Sequence, residues 1–288
     1  MRIATASYDI GFFSESSFSN YEEKILRWVT SAEDAGLLVF PEYFSMELAS
    51  LFRADIYRSL SRTLTAMQDL LPDFLRLFQK LADDRGAVIV AGSFPVAVAS
   101  AEYRNRSFVF RPGCKPDFQD KLMMTRFEKE RWMISPGSDI RIFQTDFGKI
   151  AINLCYDSEF PIFARKQAEA GAGLIVVPSC TDTEAGYHRV RIACQARALE
   201  NQCFVVQSCT AGTASWSPAV DENKGAAAVF TPVDYGFPAD GVLAMGMRDQ
   251  PGWTLADIDL DQLNRVRKEG QVLNYQDWPD QFRAAGPL

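Results

Sequence analysis

Short runs that are apolar on both faces alternate along this chain with longer segments whose apolar residues recur every three or four positions. The short runs are rich in β-branched residues and predict strands over 3–8, 37–40, 87–91, 107–110, 150–154, 174–177 and 203–208. The longer segments predict helices over 21–35, 57–84, 162–170, 184–200 and 261–269, the second broken before Pro72. Strands that are apolar on both faces are expected where helices cover a sheet, so the pattern reads as α/β. The runs 226–231 and 242–247 follow one another with no helix between them, which adds antiparallel pairing. No repeat or linker interrupts the pattern, so 1–270 is read as one domain. Residues 271–288 contain two prolines and lose periodicity; they are read as a C-terminal arm that frays or packs on a partner subunit.

Composition narrows the function. With 288 residues, 47% of them hydrophobic, the chain can bury a sizeable core. Its net charge of −7 and lack of a dense Lys/Arg block argue against a nucleic-acid or anionic-membrane partner and favour a small neutral or cationic substrate. No apolar stretch approaches the ~20 residues that span a bilayer, and the opening MRIATASYDI lacks the basic and apolar regions of a secretory signal. The expected location is the cytoplasm. The six cysteines, at 114, 155, 180, 194, 203 and 209, show no C-x-x-C spacing and are expected reduced. The single histidine, His188, cannot build a His-rich metal site, and neither metal nor cofactor is expected. It lies in the predicted helix 184–200 and is read as a surface or packing residue rather than a catalytic base.

Three islands carry the chemistry: FPEYF around Glu42, DKLMMTRFEKERW around Lys121 and INLCYDSEFP around Cys155. Glu42 follows an apolar strand and Pro41, at a strand end where α/β sites form. A carboxylate buried there, with its charge offset by a neighbouring ammonium, can take a thiol proton. On position alone such a Glu is more often a turn or helix-start residue, so this island gains weight only beside the others. Cys155 ends a strand and precedes a turn, Pro161 and a helix. Backbone N–H groups and a nearby helix N-terminus there favour a thiolate and a developing oxyanion. Cys180 also closes a strand and is the reserve nucleophile. Lys121 follows an extended segment and precedes a charged run, where most lysines are solvated; its functional reading is a compact positive charge holding thiolate and oxyanion.

A carboxylate, an ammonium and a thiol in this chain order resemble the nitrilase superfamily of carbon–nitrogen hydrolases. FPE, Tyr103 to Ser107 with Val109 to Gly113, Asp120-Lys121-Leu122, Pro136-Gly137-Ser138-Asp139, Cys155-Tyr156-Asp157 with Phe160-Pro161, and Ala196 to Asn201 each resemble a family segment, together covering about residues 1–260. The resemblance implies an α-β-β-α sandwich with two mixed sheets, and a homodimer or higher homo-oligomer. It also implies Glu42 as general base, Cys155 as nucleophile, and Lys121 with the Tyr156 N–H as oxyanion donors. Many members carry a second glutamate after the lysine. Counting back from Pro136-Gly137 favours Glu130, counting forward from Lys121 fits Glu128 about as well, and Glu130 is the residue chosen.

Cys155-Tyr156-Asp157 looks more like amidases and carbamoyl-amine hydrolases than true nitrilases, whose Cys is generally followed by Trp-Glu. The expected reaction is hydrolysis of a small amide (an ω-amide, aliphatic amide or carbamoyl amine) through a cysteine thioester. Nitrile hydrolysis, acyl transfer and a non-catalytic protein retaining the fold are the alternatives. Phe44, Trp132, Tyr156 and Thr181 are the expected pocket walls. Arg197 and Glu200 are read as a structural ion pair.

Overall fold

Aliphatic runs form the strands that frame the molecule. In the computed structural model, which describes residues 1–14 and 17–285, β1 (Arg2–Asp9), β2 (Leu37–Phe40) and β3 (Val88–Ala91) pair in parallel. The chain then folds back through β4 (Phe94–Ala99), β5 (Glu102–Phe110) and β6 (Asp117–Asp120), all antiparallel to their neighbours. An antiparallel pair, β7 (Ile142–Thr145) and β8 (Gly148–Ile152), leads into parallel β9 (Leu174–Ser179) and β10 (Phe204–Thr213). The remaining strands, β11 (Glu222–Asn223), β12 (Ala228–Phe230), β13 (Val242–Met245) and β14 (Gly252–Asp257), pair antiparallel.

Alternation explains why the strands read as apolar on both faces. Leu37, Val39, Val88 and Val90 point into one layer with Ile150, Ile152, Leu174, Val176, Phe204 and Val206, between the two halves of the sheet. Their neighbours Leu38, Phe40, Ile89 and Ala91 point the other way, onto α1 (Phe18–Ser31) and the helices that follow. Those are α2 (Ala54–Tyr57), α3 (Leu60–Met67) and α4 (Leu71–Arg85). On the opposite outer face, Ile175, Val177 and Val205 meet α5 (Pro161–Glu169) and α6 (Glu184–Asn201) through Ala164, Val190, Cys194 and Ala198. The three apolar layers give helices, sheet, sheet, helices.

The two expected mixed sheets are joined along one hydrogen-bonded path, ordered β4-β5-β3-β2-β1-β10-β9-β8-β7. The halves are joined where β1 pairs β10 over three residues, Ser7 to Asp9 with Cys209 to Ala211, whereas β10 pairs β9 over six. Beyond that short seam the strands splay, and the apolar layer fills the space between them. The predicted helix 57–84 is divided before Pro72 as expected, and again between α2 and α3. Pro72 lies in the first turn of α4, where its missing N–H costs nothing, and Gly86 at φ 65° ends that helix.

α7 (Leu260–Glu269) is followed by α8 (Asn274–Asp277) and α9 (Asp280–Ala285), too short for their periodicity to show in the sequence. The arm docks on its own chain: Arg165 donates to the Tyr275 carbonyl from both terminal nitrogens at 3.1 and 3.2 Å, and its guanidinium lies 4.9 Å from the Trp278 ring. The last three residues of the expected arm lie outside the described residues.

Parallel β2, β8 and β9 deliver Glu42, Cys155 and Cys180 just past their C-terminal ends, on the same side of the sheet. The Glu42 turn is fixed from below by Gly92, at φ 47°. A Cβ at Gly92 would lie 1.9 Å from the Pro41 carbonyl oxygen and 2.7 Å from Phe44. Gly92→Ala is therefore expected to cost about 2–4 kcal/mol, from overpacking and left-handed strain together. A fall in the urea midpoint measures it; an unchanged midpoint would show that the turn gives way easily.

Candidate active site

Glu42, Lys121 and Glu128 are each almost completely buried, and they meet. Lys121 Nζ donates to Glu42 Oε1 at 2.8 Å and to Glu128 Oε2 at 2.7 Å. The β5–β6 pairing sets the lysine's position: its N–H donates to the Asn105 carbonyl at 2.9 Å. From the other side Gly137 N–H donates to the Lys121 carbonyl at 2.7 Å, and a Cβ on Gly137 would lie 2.6 Å from the Asp120 Cβ. The Pro-Gly segment thus presses on the strand end that carries the lysine, and only glycine allows the approach.

Both carboxylates accept several further hydrogen bonds. Glu42 Oε1 also accepts from Asn105 Nδ2 at 2.8 Å, and its Oε2 accepts the Cys180 N–H at 3.1 Å. Glu128 Oε1 accepts the Tyr43 hydroxyl at 2.8 Å, and its Oε2 accepts both the N–H and the hydroxyl of Thr125 at 2.9 Å. Tyr43 adopts a left-handed φ of 56°, held by its N–H donating to Ser93 Oγ at 2.8 Å, which turns its ring from the strand end toward Glu128.

Cys155 also adopts a left-handed φ, 47°, uncommon for a residue with a side chain. The chain leaves β8, turns sharply at Cys155 and enters a short helical turn, Cys155–Glu159, before α5. The thiol is presented to the pocket and points toward the Cys180 carbonyl, 3.8 Å away. Ser158 Oγ donates to the Cys155 carbonyl at 2.6 Å and Arg197 donates to the Ser158 carbonyl at 3.0 Å, so the Arg197–Glu200 ion pair braces this turn from α6.

One ammonium facing two carboxylates leaves one negative charge in excess, and the titration directions divide accordingly. Burial raises Glu42 above the ordinary carboxylate range, Lys121 pulls it back, and Glu128 pushes it up again. Burial acts on Glu128 too, but Lys121, the Thr125 N–H and Tyr43 outweigh it and hold that carboxyl low. Burial pulls Lys121 down, and the two glutamates more than reverse that, keeping it charged. Burial also pushes the Cys155 thiol well up, with the Glu42 charge adding to it and Lys121 opposing. Burial thus opposes the thiolate that the turn favours, and it places beside the thiol a carboxylate of raised basicity.

These groups line a pocket of about 630 Å³. Tyr156, Trp132 and Thr181 line it, with Tyr43 and Cys180 among the other wall residues. Phe44 is corrected: past the left-handed Tyr43 the chain turns into the helix-facing layer, where Phe44 stacks on Phe40 at 5.1 Å and packs against Phe74 and Phe78. Glu130 is corrected as well. It is exposed and pairs with Arg126 at 3.0 Å, whereas Glu128, two residues back, takes the buried place beside Lys121. Sequence reasoning missed Asn105 and Tyr43; a lone buried amide in the strand 102–110 and an aromatic directly after Glu42 were the available signals. His188 lies exposed on α6, 3.9 Å from Glu184. Among the described residues no His, Cys, Asp or Glu cluster is placed to hold a metal ion, and no helix is long and apolar enough to cross a membrane.

The family model described as carbon-nitrogen hydrolase matches residues 3–268. The chain belongs to the carbon–nitrogen hydrolase family. Among relatives of this family, the chain is 36% identical over 263 residues to a probable hydrolase, YhcX, of Bacillus subtilis, covering 91% of this chain and 50% of that protein. It is 30% identical over 145 residues to deaminated glutathione amidase of Rattus norvegicus, covering 50% of this chain and 41% of the relative. The chain thus spans about half the length, or less, of these two curated relatives. The nitrilase-superfamily fold is shared with an amidase from a Nesterenkonia species at a TM-score of 0.70 and 19% identity, covering 93% of this chain and 94% of that one.

The buried placement of Glu128 and the exposed one of Glu130 separate the two carboxylates experimentally. Glu130→Gln should leave stability within about 0.5 kcal/mol, as for an exposed pair, and activity within a factor of about two. Glu128→Gln removes the charge that holds Lys121 and should lower kcat by about 100-fold, roughly 2.7 kcal/mol of transition-state stabilisation. Steady-state kinetics on the two variants decide it, and equal effects would contradict the placement.

Proposed function

We propose that this chain hydrolyses the carbon–nitrogen bond of a small amide (an ω-amide, aliphatic amide or carbamoyl amine) through a thioester on Cys155. The observation that carries the reading is the buried Glu42–Lys121–Glu128 cluster, which lines a pocket of about 630 Å³ together with Cys155. Glu42 takes the thiol proton as sulfur bonds to the carbonyl carbon and the carbonyl π pair moves onto oxygen. Of the three Lys121 ammonium protons, two are given to Glu42 and Glu128; the third faces the oxyanion, together with the Tyr156 N–H. Collapse breaks the C–N bond, and Glu42 passes its proton to the departing nitrogen. Water then gives a proton to Glu42 and its hydroxyl oxygen to the thioester carbon. The second collapse releases the acid and a thiolate, which recovers the proton from Glu42.

The names of the relatives support amide hydrolysis, one being a deaminated glutathione amidase, and a nucleophilic cysteine is supported by a mutant of the Nesterenkonia amidase, whose active-site cysteine carries the acetamide moiety of fluoroacetamide. Six free thiols support a reducing compartment, the cytoplasm. A homodimer or higher homo-oligomer is supported by Ile162 on α5 and Ile192 and Leu199 on α6, large apolar side chains left exposed on neighbouring helices, the last two seven residues apart and so on one face.

Intact-mass analysis of wild type and Cys155→Ala with a panel of small amides, carbamoyl amines and nitriles, with ammonia followed in parallel, tests the reading. An acyl adduct and ammonia from an amide or carbamoyl amine with wild type alone are expected. Adducts from nitriles only would move the assignment to nitrile hydrolysis. Persistent turnover in Cys155→Ala would move the nucleophile to Cys180.

A further inference from the structure

One buried carboxylate near the site has no part in the chemistry above. Asp157 follows Cys155 by two residues and is almost completely buried. Its oxygens accept three backbone N–H groups: Leu122 at 3.1 Å, Met123 at 2.7 Å and Leu154 at 3.3 Å. Leu154 belongs to the nucleophile's own turn, but Leu122 and Met123 belong to the strap that leaves β6 directly after Lys121. The carboxylate therefore joins the segment carrying the thiol to the segment carrying the ammonium.

We propose that Asp157 is a positioning residue that fixes the Lys121 ammonium relative to Cys155, so that its third proton meets the oxyanion. The proposal rests on the amidase reading. Lys121 is anchored at its backbone N–H by Asn105 and at its carbonyl by Gly137. The two amides that follow it have Asp157 as their acceptor, and without a carboxylate there they are left unpaired in the interior. Burial pushes Asp157 up to about 7 against the pull of Lys121 and the N–H donors. A carboxyl group is kept in this costly place where two loops need a shared acceptor.

The test separates proton abstraction from oxyanion binding. Alkylation of Cys155 by iodoacetamide needs the base and an accessible thiol but forms no oxyanion; amide turnover needs all three. In Asp157→Asn, whose amide replaces one acceptor oxygen with a donor, kcat should fall about 30- to 100-fold with KM within about threefold, while the alkylation rate stays within about threefold of wild type. Amide hydrogen exchange over residues 121–124 should rise in the same variant, a readout that needs no substrate. Parallel loss of kcat and alkylation with a lowered Tm would reduce Asp157 to a general structural role, and unchanged kcat with unchanged exchange would overturn the proposal outright. If wild type hydrolyses no amide yet exchange at 121–124 rises in the variant, the amidase reading fails and the coupling of the two loops stands. If Asp157→Asn does not fold, Asp157→Glu, which keeps the charge but displaces it, is read in the same way.

Discussion

A single ammonium buried between two carboxylates is the constraint around which the rest of this molecule is arranged. Placing Lys121 where water cannot reach it is costly, and removing one member of such a set typically costs about 3–5 kcal/mol because the others are left uncompensated. The surrounding structure therefore supplies every remaining partner: Asn105 and the Cys180 N–H for Glu42, and Tyr43 and Thr125 for Glu128. The negative charge left over resides on the more weakly held carboxyl, Glu42, which makes it a stronger base than an ordinary glutamate. Stability and reactivity have one origin here. The same burial that makes the cluster expensive raises both Glu42 and the Cys155 thiol.

The sheet makes this possible by bringing strand ends together. Parallel β2, β8 and β9 end at one level, and the short β1–β10 seam lets the two halves close over an aliphatic layer instead of lying flat. Glu42 comes from one half, Cys155 and Cys180 from the other, and Lys121 from the antiparallel extension of the first. Left-handed turns at Tyr43 and Cys155 then direct side chains into the cleft that strand continuation would have aimed elsewhere.

The sequence was legible where chemistry and local structure coincide. LLVF followed by Pro-Glu, and an aliphatic strand followed by Cys-Tyr-Asp, a short turn and Pro, show in one window both the element and the residue it delivers. Counting along the strap after Lys121 could not separate Glu128 from Glu130, because the segment 128–132 forms a wide helical turn with one glutamate inward and the other outward against Arg126. Phe44 was misplaced for a similar reason: the reversal at Tyr43 depends on a contact with Ser93, fifty residues away in sequence. The joining of two expected sheets into one rests on pairings about 200 residues apart, between β1 and β10, which no local pattern carries. The arm's two short helices fall below the length at which a periodic signal exists.

The central proposal is that Glu42, poised by Lys121, is the base that activates the Cys155 thiol. The most direct test is the pH dependence of Cys155 alkylation in wild type and Glu42→Gln. The account predicts a wild-type rate that rises through an apparent pKa above the ordinary ~4.3 of glutamate and then stays level past pH 8, with the rate at neutral pH lowered at least tenfold in Glu42→Gln. A rate in both proteins that simply climbs with free thiol ionisation, near pH ~8.5, would contradict it.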